Sequence, residues 1–138
     1  MHLPRTRLLS QLTFLDHTES TNTVLVAQSE AAEEFATVVT LNQTAGKGRL
    51  GRVWETLPGR GVAMSVLLRP HRASGDPLEL PRWGWLPLMA GLAMTRAVTE
   101  VVSAADGPAV TLKWPNDVLV AGRKVSGILA ELLPGVRQ

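Results

Sequence analysis

The sequence predicts an α+β domain in which short strands are covered by helices. Three observations carry this: two stretches with apolar residues at helical spacing, β-branched runs between them, and closely spaced strand segments broken by turn residues toward the C-terminal end. At 138 residues the chain has the size of one domain and can bury about two-thirds of the surface it exposes when unfolded.

A short extended run at 12–15 opens the pattern. Ser20, Thr21 and Asn22 follow, and Val24, Leu25, Ala27, Ala31 and Ala32 then recur at helical spacing, so a helix begins at a Ser or Thr N-cap. ATVVTL at 36–41 reads as a buried strand. Residues 42–52 form a loop rich in glycine and basic residues. VAMSVLL at 62–68 is the next strand, entered through Pro58, Gly59, Arg60 and Gly61 and closed by Pro70. Residues 78–81 read as loop. A helix over 85–102 carries Leu88, Leu92, Ala93 and Val98 on its packing face and tolerates Pro87 in its first turn. Trp83 and Trp85 at its start are expected in the core. A strand at 109–114, a turn at Pro115, Asn116 and Asp117, a strand at 118–120 and a reversal at Gly122 into 124–133 complete the chain as a hairpin.

Composition removes several function classes. The absence of cysteine excludes a disulfide scaffold, a thiolate metal site and a cysteine nucleophile. His2, His17 and His71 lack metal-ligand spacing. The isoelectric point of about 9.7 overstates the basicity: with 14 Lys and Arg against 12 Asp and Glu and no Tyr or Cys to titrate below Lys, a small excess raises it, and the formal net charge of +2 is too small to argue for nucleic acid. Ser10, Gln11 and Thr13 break the apolar run at the start, so no signal-peptide core forms. The longest apolar stretch, 83–94, is too short to span a bilayer and contains Pro87. A cytoplasmic location with no membrane partner is expected.

The segment GKGRLGR at 46–52 contains G-x-G-x-x-G after a strand, yet no helix opens within it. The following strand ends in Arg69 rather than an acidic residue, so the dinucleotide fingerprint fails; a Walker loop is absent as well. What remains is a pliant backbone carrying Lys47, Arg49 and Arg52, suited to a carboxylate or a phosphate. Read alone, it also fits a solvated turn or a contact with nucleic-acid phosphates. Ser20, Thr21 and Asn22 offer two hydroxyls and an amide at a helix start, which fits a polar ligand as well as a cap. Lys113, Trp114, Pro115, Asn116 and Asp117 put a cation, an aromatic, an amide and a carboxylate within five residues. That carboxylate suits Mg²⁺ or a ribose, and the same residues suit a plain turn. Lys124 stands at the entrance of a strand, where lysines are ordinarily solvated.

Taken in order, STN at 20–22, QTAGKGRLGRVW at 43–54, KWPNDV at 113–118 and RKVSGILAE at 123–131 resemble the biotin protein ligase family, and WGWLPLMAGLAMTRAV resembles its central helix. The resemblance implies a mixed, largely antiparallel sheet backed by helices, the architecture of class II aminoacyl-tRNA synthetases and of biotin and lipoate ligases. It also implies an enzyme that forms biotinyl-AMP from biotin and Mg-ATP and transfers biotin to a lysine of a biotin carboxyl carrier protein. Residues matched by motif then take roles. Ser20, Thr21, Asn22, Gln43, Lys47, Gly48, Arg49 and Lys124 would hold biotin, with Arg49 and Lys124 converging on the reacting carboxylate and α-phosphate. Arg52, Trp54, Lys113, Asn116, Asp117 and Gly127 would meet ATP, and Asp117 its Mg²⁺.

The resemblance further places residues 1–138 in the N-terminal and central part of that catalytic domain, without the family's later strand and small C-terminal β-barrel, and without the DNA-binding domain of repressor-type members. Lys47 departs from the arginine common at its position and exchanges a bidentate fork for a point charge. A lipoate ligase of the same fold and a nucleic-acid-binding module using 46–52 are the alternatives. An octanoyl transferase of related fold is excluded by the missing cysteine. The acceptor's identity and the oligomeric state, a homodimer included, stay open.

Overall fold

The computed structural model describes residues 11–102 and 107–133, which fall into two compact units divided after Pro70. His2, on which no role was placed, and residues 134–138 lie outside the described residues.

The first unit is built on strands β1 (Leu12–Leu15), β2 (Thr37–Thr40) and β5 (Ala63–Val66), hydrogen-bonded in the order β1-β2-β5. Helix α1 (Thr21–Gln28) connects β1 to its parallel neighbour β2, while β5 runs antiparallel to β2. Opposed residues share a face. Thr13, Val38 and Ser65 therefore lie on one side with Leu15, Thr40 and Ala63, and α1 packs there, against β2 and β5. Val38, Thr40 and Ser65 are buried on this side and α1 contributes Leu25, whereas Leu12, Phe14, Met64 and Val66 on the other side are exposed.

Two expectations are corrected in this unit. Helix α1 stops at Gln28, short of Ala31 and Ala32, because the Ser29 hydroxyl donates to the Val26 carbonyl at 2.7 Å and Arg69 Nη2 donates to the Ser29 carbonyl at 2.8 Å. The stretch 42–52 is not wholly loop: β3 (Gly46–Lys47) and β4 (Val53–Trp54) pair as a small hairpin, with a 3-10 turn at Arg49–Gly51.

The second unit opens with a 3-10 helix, Leu80–Trp85, that runs into α2 (Leu86–Val102), followed by the antiparallel sheet β6 (Val110–Lys113), β7 (Asp117–Val120) and β8 (Arg123–Gly127). The helical turn takes over part of the expected loop at 78–81, since Pro81 sits at its start, where a missing N–H costs nothing. Trp83 is half-buried and donates from Nε1 to the Leu78 carbonyl at 2.7 Å, but Trp85 is 65% exposed and does not join a core. The packing face of α2 is also displaced from the expected one. It runs through Leu88, Gly91, Thr95 and Val98, while Leu92 and Ala93 are exposed. Gly91 explains this: Leu112 and Ile128 press so close that a Cβ would lie 2.8 Å from Leu112 Cδ1.

The β7–β8 reversal uses two residues of positive φ, Ala121 and Gly122, which matches the right-handed twist of a two-residue hairpin. β8 ends at Gly127 rather than continuing to 133. There the Asn116 carbonyl accepts from Ile128 N at 2.9 Å and the Asn116 amide donates to the Ile128 carbonyl at 3.0 Å, closing the ladder with a turn residue. Only the β1–β2 pair is parallel, so the described strands are mixed and largely antiparallel as expected, distributed over three sheets.

Candidate active site

In the first unit, the pairing of β1 with β2 continues beyond both strand ends. Thr18 N donates to the Asn42 carbonyl at 3.0 Å, Thr44 N to the Thr18 carbonyl at 3.0 Å, and Ala45 N to the Glu19 carbonyl at 2.8 Å. This extension carries Gln43 to the start of α1. Ser20 is the N-cap, in extended conformation, with its hydroxyl accepting from Thr23 N at 3.5 Å. Gln43 Oε1 accepts from Thr21 N at 2.9 Å and so satisfies one of the amides a helix leaves unpaired at its first turn. Ser20 and Thr21 are both nearly buried, and Asn22 is half-buried. Four residues singled out by motif, Ser20, Thr21, Asn22 and Gln43, are thus gathered at one helix end.

Gly46 opens the adjoining hairpin in a position that admits no side chain. A Cβ there would lie 2.4 Å from the Trp54 carbonyl oxygen and 2.5 Å from Gln43 Nε2. The first contact is backbone and cannot swing away. Gly46→Ala is expected to displace either Trp54 or Gln43, weakening ligand affinity at the α1 start at least ~10-fold and stability by about 1–3 kcal/mol; isothermal titration and thermal melting of the variant measure the two effects.

At the tip of the same hairpin, Gly48 N donates to the Arg52 carbonyl at 2.6 Å, and Leu50 and Gly51 adopt positive φ. The tight turn leaves Lys47, Arg49 and Arg52 exposed within six residues of chain, a concentration of cations that an anion can meet without first breaking into a core. Leu50, at 90% exposure, stands out from the tip. Trp54 pairs with Gly46 on the other arm.

The second unit holds the remaining candidates, and the register shows their order. Lys113 opposes Asp117, which opposes Gly127, and Leu119 opposes Lys124. These residues alternate with Leu112, Val118 and Ser126, and it is Leu112 that meets α2 while Val118 is fully buried. Lys113, Asp117, Lys124 and Gly127 therefore share the sheet face turned away from α2. A register shift between Val118 and Leu119 makes this possible, since it sets Gly127 rather than Ser126 against Asp117.

Lys124 Nζ lies 2.7 Å from Asp117 Oδ1, and that ammonium is the partner of an otherwise unbonded, buried oxygen. Its stem crosses Gly127, where a Cβ would stand 3.2 Å from both Cε and Nζ. Glycine at 127 thus leaves the lysine its path. The Asn116 side chain donates within the protein, to Ile128, and Trp114 is 78% exposed. Among the described residues no group of three or more His, Asp or Glu is arranged to hold a metal ion by itself.

Two contributors escaped the sequence reading. Ser65, nearly buried, lies within hydrogen-bond distance of the Thr21 hydroxyl and Asn22 Oδ1, and Gly46 sets the place of Gln43. Ser65 is the one polar residue in VAMSVLL, but the run itself does not tell which of its faces is buried.

Comparison with known proteins decides the family. Residues 14–138 match the biotin/lipoate A/B protein ligase family. The chain belongs to that family. It is 40% identical over 125 residues to a biotin--[acetyl-CoA-carboxylase] ligase of Mycobacterium tuberculosis, covering 88% of this chain and 44% of that protein. Over 101 residues it is 41% identical to the bifunctional ligase/repressor BirA of Bacillus subtilis, 73% of this chain and 28% of that one. Among solved structures, the biotin protein ligase from Aquifex aeolicus in complex with biotin and ATP matches 91% of this chain and 48% of its own, with TM-score 0.71 and 34% identity. The Leishmania major enzyme in complex with biotinyl-5-AMP matches 87% and 51%, with TM-score 0.69 and 32% identity. The chain therefore spans about half the length of these relatives or less, and its fold is that of the biotin protein ligase catalytic domain. Among the described residues no helix is long and apolar enough to cross a membrane.

Proposed function

We propose that this chain forms the biotin-activating part of a biotin protein ligase catalytic domain. The protein joins biotin to ATP and passes it to a lysine of a biotin carboxyl carrier protein or domain in the cytoplasm. The observation that carries this reading is the bond between Gln43 and the first turn of α1, because it unites two separate motifs at one polar, nearly buried place.

The reaction has two displacements. A biotin carboxylate oxygen attacks the α-phosphorus of ATP, a mixed anhydride forms and pyrophosphate leaves with the electron pair of the broken P–O bond. An acceptor lysine, as the free amine, then attacks the anhydride carbonyl, the amide forms, AMP departs with the electron pair of the broken C–O bond, and the amine proton passes to solvent. Both steps concentrate negative charge on oxygen, so the protein's contribution is to hold the reactants and to supply fixed cations.

Residues then divide by chemistry. Ser20, Thr21, Asn22 and Gln43 supply hydroxyls and amides for the ring system of biotin, and Lys47 and Gly48, on the adjoining hairpin, hold it as well. Arg49 brings a fork of donors to the carboxylate and α-phosphate, and Arg52 serves the outer phosphates. Lys124, flexible and carrying three donors, leaves Asp117 for the oxygens at the reacting bond. By motif, Lys113, Asn116 and Gly127 of the second unit take the nucleotide, and Trp54 of the first unit carries the same assignment. Asp117 belongs to no group of three or more His, Asp or Glu among the described residues, which fits Mg²⁺ arriving with the phosphates rather than a resident ion, since magnesium commonly takes one or two carboxylates plus phosphate oxygens. When bound, the ion neutralises phosphate charge.

Ligand linkage provides the test. Biotin with Mg-ATP, at about 100 times its dissociation constant, is expected to stabilise the protein by ~2.7 kcal/mol, a shift of several degrees in thermal midpoint. Lipoate in its place is expected to leave the midpoint unmoved. Stabilisation by lipoate and not by biotin overturns the substrate assignment, and retention on DNA that falls steeply with salt, without any response to biotin, overturns the enzyme reading.

A further inference from the structure

Ser65 belongs to none of the motifs, yet it occupies a place where chemistry is constrained. β5 presents it on the face that α1 covers, opposite Val38, and only 6% of it is exposed. A hydroxyl buried there is costly unless hydrogen-bonded, and an alanine such as Ala63 two residues earlier fills the same face without that demand. The hydroxyl contacts two residues of the α1 start, Thr21 Oγ1 at 2.8 Å and Asn22 Oδ1.

The direction of these bonds follows from the donors available. Asn22 Oδ1 only accepts, so Ser65 gives it its single proton. Ser65 Oγ must then accept from the Thr21 hydroxyl, because two oxygens at 2.8 Å need a proton between them. Thr21 has one hydroxyl proton, so the longer 3.2 Å approach of Thr21 Oγ1 to Gln43 Oε1 is the lesser of its two contacts, and Gln43 is held chiefly by the Thr21 N–H at 2.9 Å. The result is a directed chain, Thr21 to Ser65 to Asn22. With its proton committed inward, the Thr21 oxygen presents lone pairs alone.

We infer that Ser65 is a positioning residue that sets Thr21 as an acceptor, and thereby selects a ligand ring that bears N–H donors. A cyclic urea has two such groups and a dithiolane has none. The inference deepens the biotin reading and rests on it for the choice of probe. It assigns the discrimination between the two ring types to a residue that touches Thr21 and Asn22.

The test is a set of titrations on the whole protein with Ser65→Ala and Ser65→Cys. Ser65→Ala is expected to weaken biotin ~10-fold or more while ATP affinity stays within about twofold, because losing the proton that Ser65 gives Asn22 and freeing the Thr21 hydroxyl to rotate spoil only the ring site. Ser65→Cys, a weak donor of similar shape, is expected to fall between. In a Thr21→Val background, Ser65→Ala is expected to add less than about twofold. An equal loss in both backgrounds, or a parallel loss of biotin and ATP affinity, makes Ser65 merely structural and overturns the inference. The Asn22 side-chain amide resonances of the ligand-free protein separate this failure from that of the biotin reading. They are expected to shift in Ser65→Ala whatever the ligand, and unchanged signals overturn the role of Ser65. A wild-type protein that ignores biotin overturns the substrate, and the amide signals then decide Ser65 alone.

Discussion

Lys124→Ala is expected to lower biotin-dependent ATP–pyrophosphate exchange by ~10²–10³-fold, the scale of removing one donor aimed at charge that develops in a transition state. The lysine's ammonium lies 2.7 Å from Asp117 Oδ1 and its stem runs over Gly127, on the sheet face turned away from α2. Removing it does two things at once, because a buried carboxylate oxygen loses its partner as the reaction loses a cation. The first effect costs about 1–3 kcal/mol of stability, and it is separable. Replacing Asp117 by Asn in the Lys124→Ala background is expected to recover the melting midpoint without recovering exchange. Return of exchange in that double variant, or wild-type exchange in Lys124→Ala itself, removes Lys124 from the chemistry.

Arg49→Ala is expected to reduce kcat/KM for adenylate formation by ~10–100-fold, since hydrogen bonds to charged groups are worth about 1.5–3 kcal/mol. Because Arg49 is exposed on the hairpin tip, its loss is expected to alter stability by no more than about 0.5 kcal/mol. Arg49→Lys is expected to recover only part of the rate, because a point charge replaces two parallel donors. Steady-state exchange kinetics with circular-dichroism melts make both comparisons, and an Arg49→Ala enzyme with unchanged kcat/KM contradicts the assignment.

How much of this was legible in the sequence depends on what holds each element. β2 and β5 are β-branched or apolar runs, and their side chains announce them. The reversal at Gly122 and the turn at Asn116 were legible for the same reason, since positive φ and a side-chain amide in a turn are properties of single residues. The β3–β4 hairpin was not legible, because its two-residue strands are secured by backbone pairing and by the absence of a Cβ at Gly46, not by any alternation. The helix end at Ser29 was hidden because a side-chain hydroxyl competes for a carbonyl that the apolar spacing assigns to another turn. On α2 the spacing favoured Leu92, but the smallest residue, Gly91, is the one pressed against its neighbours.

The candidate site shows the same division. Ser20, Thr21, Asn22 and Gln43 were named by motif, and the structure explains their proximity by the parallel pairing that continues past β1 and β2. Lys113, Asp117, Lys124 and Gly127 were named by motif too, and the register shift that sets Gly127 rather than Ser126 against Asp117 has no sequence signature of its own. Ser65 was obscured by its neighbours. Hydropathy turns Met64 and Val66 inward and the serine outward, whereas β5 does the reverse, with Met64 53% exposed and Ser65 nearly buried. A polar residue on a buried face is evident only once the pairing partners of the strand are known.

Biotin-dependent exchange of labelled pyrophosphate into ATP reports formation of the mixed anhydride without an acceptor protein. The wild-type protein is expected to catalyse exchange with biotin, to require Mg²⁺ for it, and to show none with lipoate. Exchange supported by lipoate alone, or biotin bound tightly with no exchange under any nucleotide concentration, contradicts the account.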